Sequence, residues 1–315
     1  KTALLCPTGF KMIGPYDWVS PYYWYEDRHH GGAFGFNTET SPGPALPELE
    51  TLREWLPPAD LEKLWTAPKA KQFHAGRNEF YDLGLFHQAL ATRHGKPQSL
   101  EDFVQKAQLM SYEAERALFE SYSGRRDQNA TGVLHWLVNS AWPSLIWHLY
   151  AHDLSTAAGY FGAKKANEPL HLQYAYDSAA VSLVNQASEA AAGLTARVQV
   201  LDLSGAVRFE HHATLDIAAD AVLPIVAVPQ VAGLSSTYFV RLTLGREART
   251  LSDGWYWLST RAERSAYARS DFFHAPVTQY ADFRALSQLA PANVLVQART
   301  EGNQVQVQLD NLSPG

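Results

Sequence analysis

The sequence predicts an α/β region, part of a (β/α)₈ TIM barrel, followed by an all-β region. The latter comprises an immunoglobulin-like β-sandwich and the start of a further β-domain. Three observations carry this reading. The stretch Gly31–Leu52, GGAFGFNTETSPGPALPELETL, reads as strand, turn and helix with a carboxylate, Glu39, near its middle. From about Leu170 the texture changes to seven short alternating runs within roughly 90 residues, the pattern of an immunoglobulin-like sandwich. Asn293–Leu309, turning at Glu301-Gly302-Asn303, reads as a hairpin that needs further strands to be stable. The expected layout is residues 1–169 for the barrel portion, 170–260 for the sandwich, 261–290 for a Tyr- and Phe-containing connector, and 291–315 for the next domain.

Composition narrows the function classes. A chain of 315 residues suggests two or so domains with enough core to fold. The 46% hydrophobic and 18% charged residues are an ordinary globular balance. A net charge of −6 with no basic stripe argues against a nucleic-acid partner. No apolar run approaches the roughly 20 residues of a membrane-spanning helix, so no membrane partner is expected. A single cysteine, Cys6, excludes an internal disulfide framework and a Cys-rich zinc site. It leaves the compartment open, with a periplasmic or secreted location favoured. Aromatic residues reach 12%, with 9 Trp and 15 Tyr. Such rings serve a large core, or a sugar cleft in which apolar sugar faces stack on them. The chain opens at Lys1 without Met and stops soon after the final hairpin, so both ends read as cut.

In chain order, Lys1–Ile13 is a short apolar approach. Gly14–Tyr25, GPYDWVSPYYWY, reads as an aromatic loop too rich in Gly and Pro for regular structure. In Phe34–Glu39 strand alternation puts Gly35, Asn37 and Glu39 on one face and the two phenylalanines on the other. A carboxylate at a strand end in a βα unit occupies the position where barrel enzymes place their chemistry, so Glu39 is the candidate catalytic residue. Leu46–Leu56 reads as a helix stopped by Pro57-Pro58, with a short helical turn at Asp60–Trp65. The clearest helix starts at Ser99, whose pairing with Asp102 resembles a capping box, and runs to Gly124. Gly132–Val138 is apolar on both faces, as a buried parallel strand should be, and ends in Asn139-Ser140-Ala141-Trp142-Pro143. Ser155–Glu168 reads as a closing helix.

Other chemistry is thin. His29 and His30 are adjacent and would point apart on a strand, which does not suit a metal site. The chain holds no Gly-rich phosphate loop, no His-Glu-x-x-His pattern and no nucleophile elbow.

Taken together, GPYDWVSPYYWY, GGAFGFNTETSPGPALPELETLREWLP, EDFVQKAQLMSYEAERALFE, GVLHWLVNSAWPSLIWHLY and YFGAKKANEPLHLQY resemble glycoside hydrolase family 2. The similarity is strongest to the exo-β-D-glucosaminidase branch, with β-mannosidases and mannosylglycoprotein endo-β-mannosidases nearby. It implies that the chain begins near barrel strand six and covers the C-terminal portion of the barrel. Glu39, within Asn37-Thr38-Glu39-Thr40, would be the nucleophile of a retaining enzyme. The acid/base carboxylate would come from strand four, upstream of Lys1. Tyr16 would hydrogen-bond the nucleophile and Trp136 would floor the sugar site. Trp18, Asn37, Asn139 and Trp142 are further candidate substrate-binding residues. No cofactor or metal is implied. The partners would be an oligosaccharide or glycan substrate and the missing N-terminal part of the same protein. Asp17, Glu26, Asp27 and Glu79 read as solvated loop charges rather than a second catalytic group, and His135 and His148 as satisfied core histidines. Two alternatives stay open: a β-mannosidase or endo-β-mannosidase acting on N-glycan-type substrates, and a non-catalytic carbohydrate-binding or assembly chain.

Overall fold

The computed structural model describes residues 9–76 and 80–313. Its first region is built on a parallel sheet in the order β1 (Phe10–Lys11), β2 (Gly35–Thr40) and β3 (Ala130–His135). Parallel neighbours need long crossovers. The first crossover carries α1 (Pro21–Glu26). The second carries α2 (Leu49–Trp55), α3 (Pro58–Thr66), α4 (Gly84–His94) and α5 (Leu100–Gly124), and α6 (Ala158–Ala166) follows β3.

Each departure from expectation here has a local cause. Pro21–Glu26 is helical where an irregular loop was expected. Ser20 is its N-cap and accepts the Tyr22 N–H at 3.3 Å, and Pro21 fills the first helical position, where its missing N–H costs nothing. Helix α2 starts only at Leu49, because the residue before Pro47 is steered away from helical angles. Pro58 opens α3 rather than closing the preceding helix. Helix α5 is capped as its sequence predicts: Ser99 Oγ accepts the Asp102 N–H at 3.2 Å, and the Asp102 carboxylate accepts the Gln98 N–H at 2.8 Å. Strand β3 stops at His135, and Leu134 is 54% exposed, so β3 is not covered on both faces among the described residues. The closing helix is confined to α6, which meets α5 closely. A Cβ on Gly162 would collide with the Tyr112 carbonyl.

The sandwich follows the sequence reading closely. Its strands are β4 (Leu170–Tyr174), β5 (Ala180–Asn185), β6 (Ala191–Leu201), β7 (Val207–Ile217), β8 (Ala221–Ala227), β9 (Thr237–Arg246) and β10 (Arg249–Ser259). They form antiparallel sheets β4-β5-β8 and β10-β9-β6-β7. Leu172, Val181 and Leu183 of one sheet meet Val198, Val240 and Leu242 of the other in the core. Thr195 and Arg197 face solvent as expected; Gln199 does not, because its amide is buried against Glu210 at 2.9 Å. After β10, β11 (Arg264–Ser265) and β12 (Val277–Gln279) form a short antiparallel pair, and β13 (Val294–Glu301) and β14 (Gln304–Asn311) form the predicted hairpin.

The two regions share one core: Val19, Tyr23, Trp24 and Leu118 pack in the same apolar cluster as the sandwich residues. A buried polar network crosses the seam. Arg116 pairs with Glu120 at 2.8 Å, donates to the Trp255 carbonyl at 2.7 Å, and lies 3.7 Å over the Tyr256 ring. The Tyr256 hydroxyl in turn donates to Glu120 and accepts the Tyr174 N–H, each at 2.9 Å. Each buried charge is therefore paired, which is what burial of a charge requires.

Candidate active site

Glu39 lies near the C-terminal end of β2, the central strand of the parallel sheet, and is partly buried. Its Oε1 accepts a 2.8 Å hydrogen bond from the Tyr16 hydroxyl, and no donor among the described residues is bonded to its other oxygen. Burial, reinforced by the neighbouring carboxylate, pushes the Tyr16 phenol far above its ordinary range, so it remains a proton donor.

The loop that carries Tyr16 is stitched to β2. Asn37 Nδ2 donates to the Gly14 carbonyl at 2.9 Å, and Thr40 Oγ1 and Ser41 N donate to the Pro15 carbonyl at 2.9 and 3.1 Å. Trp147 Nε1 donates to the Tyr16 carbonyl at 2.7 Å. The Tyr16 ring is enclosed by Phe80, Trp147 and Phe272, with centroids at 6.3, 5.9 and 5.3 Å. Trp147 has φ +67°, a left-handed conformation that costs a bulky residue energy and that persists only where its surroundings enforce it.

The structure sorts the predicted site residues. Tyr16 and Glu39 meet directly. Trp136 follows β3, donates its N–H to the Thr40 carbonyl at 2.8 Å beside Glu39, and leaves its indole 44% exposed. Asn139 and Trp142 are exposed on the segment beyond, Trp142 at 71%, and neither is hydrogen-bonded to Glu39 or Tyr16. Two expectations need correction. Trp18 is only 2% exposed and packs inside the helical core, against Arg93 and Tyr280, so it presents no face to a ligand. Asn37 is fully buried because its amide is committed to the Gly14 carbonyl; it positions the Tyr16 loop instead of facing a cleft. The sequence reading missed Trp147, Phe80 and Phe272. Their contacts with Tyr16 span 64 to 256 positions of chain, and no local pattern encodes them.

Among the remaining carboxylates, Glu26 keeps its reading as an exposed charge, whereas Asp17 and Asp27 depart from it. Asp17 is half-buried; burial, with the charges of Asp82 and Asp271, pushes its carboxyl up to about 6. Asp27 is buried and accepts the N–H groups of His29, His30 and Gly32, so it organises a turn and is not a solvated charge. Glu26 is exposed and accepts the Tyr267 hydroxyl at 2.6 Å. Glu79 lies outside the described residues. Among those described, no cluster of three or more His, Cys, Asp or Glu side chains is arranged to hold a metal.

His135 and His148 are each satisfied at one nitrogen only. His135 Nε2 meets Glu115 at 2.8 Å, and His148 Nδ1 meets the Ile146 carbonyl at 3.2 Å; their second nitrogens have no partner among the described residues. Burial holds the His148 imidazole down to about 4. An unfolded histidine takes up its proton near 6.5, so between these values the unfolded chain binds more protons and stability is lost as pH falls. Unfolding midpoints measured from pH 7 to pH 4 should fall less steeply for His148→Gln than for the unsubstituted protein. Parallel curves would remove His148 as a cause.

Comparison with known proteins bears on this geometry. The family model for the exo-β-D-glucosaminidase Ig-fold domain matches residues 272–314. An exo-β-D-glucosaminidase of Streptomyces avermitilis is 46% identical over 301 residues, 93% of this chain and 33% of the relative. A mannosylglycoprotein endo-β-mannosidase of Lilium longiflorum is 29% identical over 78% of this chain and 27% of its own length. Among solved structures, Amycolatopsis orientalis exo-chitosanase CsxA superposes with a TM-score of 0.94 at 39% identity, over 98% of this chain and 38% of that one. The chain spans about a third of the length of the curated relatives it matches. The resemblance to glycoside hydrolase family 2, in its exo-β-D-glucosaminidase branch, therefore extends through nearly the whole sequence.

Proposed function

We propose, on the premise that the chain shares the exo-β-D-glucosaminidase branch of glycoside hydrolase family 2 with these relatives, that it is the C-terminal portion of a retaining β-glycosidase acting on terminal β-linked glucosamine, as in chitosan oligosaccharides. Glu39 is its nucleophile. The observation that carries this reading is the 2.8 Å hydrogen bond from Tyr16 to Glu39 near the end of the central parallel strand.

On this reading β1, β2 and β3 are successive strands of a (β/α)₈ barrel, whose chemistry collects at the C-terminal strand ends. The proposed layout is barrel to residue 169, sandwich over 170–260, connector over 261–290 and a further immunoglobulin-like domain from 291. Tyr16 aims one oxygen of Glu39, and the other is free to attack the anomeric carbon. A second carboxyl about 5–5.5 Å away protonates the leaving oxygen, then deprotonates the water that releases the glycosyl-enzyme. Its environment must keep it protonated while Glu39 is ionised. That group belongs to the part of the protein preceding this chain. The half-exposed indole of Trp136, one residue past β3 and tied to Thr40, suits the floor of the sugar site. Asn139 and Trp142 are exposed on the segment beyond Trp136, and this reading keeps them as substrate contacts.

The similarity to the Lilium longiflorum enzyme keeps β-mannoside cleavage as the second reading. Hydrolysis of an aryl β-D-glucosaminide and an aryl β-D-mannoside by the full-length protein separates them. The expected result is a higher kcat/KM on the glucosaminide, with the β-anomer as first product. A preference for the mannoside selects the second reading, and a first-formed α-anomer rules out the double displacement. A folded full-length protein inert on both favours the non-catalytic carbohydrate-binding or assembly chain.

A further inference from the structure

Residues 266–276 form a loop whose ends are tied together by the β11–β12 pair and by the hydrogen bond from Ala266 N to the Pro276 carbonyl at 2.8 Å. The loop comes from beyond the sandwich, yet its tip lies on the Tyr16 segment. The N–H groups of Tyr16 and Asp17 both donate to the Phe273 carbonyl at 3.0 Å. The Phe272 ring sits 5.3 Å from the Tyr16 ring, tilted by 32°. Gly14 has φ +63°, and a Cβ there would collide with the Phe272 carbonyl oxygen, so the approach of the loop to the Tyr16 segment depends on a glycine at this position. Asp271 sets the shape of the tip by accepting the N–H groups of Phe273 and His274 at 2.8 and 2.9 Å.

We propose that the 266–276 loop is a positioning element of the Glu39 site, with Phe272 and the Phe273 carbonyl fixing the tyrosine that orients the nucleophile. The inference rests on the reading of Glu39 as nucleophile. Three contacts of different kinds converge on the Tyr16 segment: a shared carbonyl acceptor, a ring face and a steric fit at Gly14. They add to the contacts that β2, Phe80 and Trp147 make with the same segment. Small displacements of an orienting group cost turnover steeply, because reacting atoms must stay in near-attack geometry. The segment that follows the β-sandwich thus takes part in the active site and does more than link domains.

The test is a double-mutant cycle in the full-length protein with an aryl β-D-glucosaminide. Phe272 is 38% exposed, so its replacement opens little core. Phe272→Ala is expected to lower kcat by about tenfold or more, with KM within about twofold. Phe272→Tyr, which keeps the ring, should retain the parent kcat. Because Phe272 acts through Tyr16, Tyr16→Phe combined with Phe272→Ala should be no slower than Tyr16→Phe alone. The proposal is overturned if Phe272→Ala keeps full kcat while Tyr16→Phe loses it, if the two losses multiply, or if Phe272→Tyr is as slow as Phe272→Ala. If Glu39→Gln in the same assay keeps its activity, the nucleophile reading falls and this inference falls with it.

Discussion

Replacing Glu39 by Gln in the full-length protein is expected to lower turnover of an aryl β-glycoside by roughly 10⁴- to 10⁶-fold, the scale seen when a covalent nucleophile is removed. The physical case is direct. A neutral amide cannot supply the electron pair that forms the glycosyl ester, yet its oxygen can still accept the Tyr16 hydroxyl. The 2.8 Å contact and the local fold therefore survive, and the loss reports chemistry and not collapse. A second experiment sharpens the point. Glu39→Ala leaves space below the anomeric carbon, so a small anion such as azide should restore turnover and give a glycosyl azide of inverted configuration. A Glu39→Gln enzyme retaining more than a tenth of parental kcat would end the assignment.

The second large effect concerns stability. Arg93 is buried at the end of α4, with Glu113 of α5 at 2.6 Å and Glu263, beyond β10, at 3.0 Å. Ser20 Oγ also donates to Glu263 at 2.8 Å, so one cation ties α4, α5, the α1 cap and the segment after the sandwich. Burial pushes the Glu113 carboxyl up to about 7; the nearby Glu263 charge adds to this and Arg93 opposes it. Arg93→Met leaves two carboxylates facing each other without a cation, and breaking a buried pair in this way costs about 3–5 kcal/mol. The sign of the pH response follows from linkage. A carboxyl whose folded value is raised above its unfolded value binds extra protons in the fold, so stability falls as pH rises through that window. The Arg93→Met protein should therefore be weakest at pH 8 and recover part of its loss by pH 5. Chemical unfolding followed by tryptophan fluorescence measures both. A loss under 1 kcal/mol at pH 8 would show that the Arg93 cluster does not hold these segments together. Replacing all three charges with apolar residues of similar volume should cost much less, because no charge is then stranded.

Particular residues show how far sequence reasoning reached. The seven sandwich strands were legible because a half-buried sheet imposes a period of two on each strand, and most of the breaks between runs contain Gly, Asp or Pro. Helix α5 was legible from Ser99 and Asp102, whose reciprocal cap is a matter of three residues. Helix α1 escapes the sequence although Ser20-Pro21 is a helix-start pair, because the surrounding Gly, Pro and aromatic residues mask it. Trp18 and Trp142 carry the same expectation in the sequence, yet one is buried and the other exposed, and nothing within a few residues of either separates them.

The sequence by itself therefore determined the strand that carries Glu39, the pairing of that strand end with Tyr16 through a family resemblance, and the all-β character after residue 169. These depend on local backbone preference, on hydrophobic period and on ordered motifs, all of which are written within short windows. Only the tertiary structure decided that Asn37 and Trp18 are structural, that Asp27 is buried, and that Trp147 and Phe272 close around Tyr16. Those outcomes follow from which distant segments come to lie against the Glu39 strand, and long-range packing leaves no periodic trace in the chain.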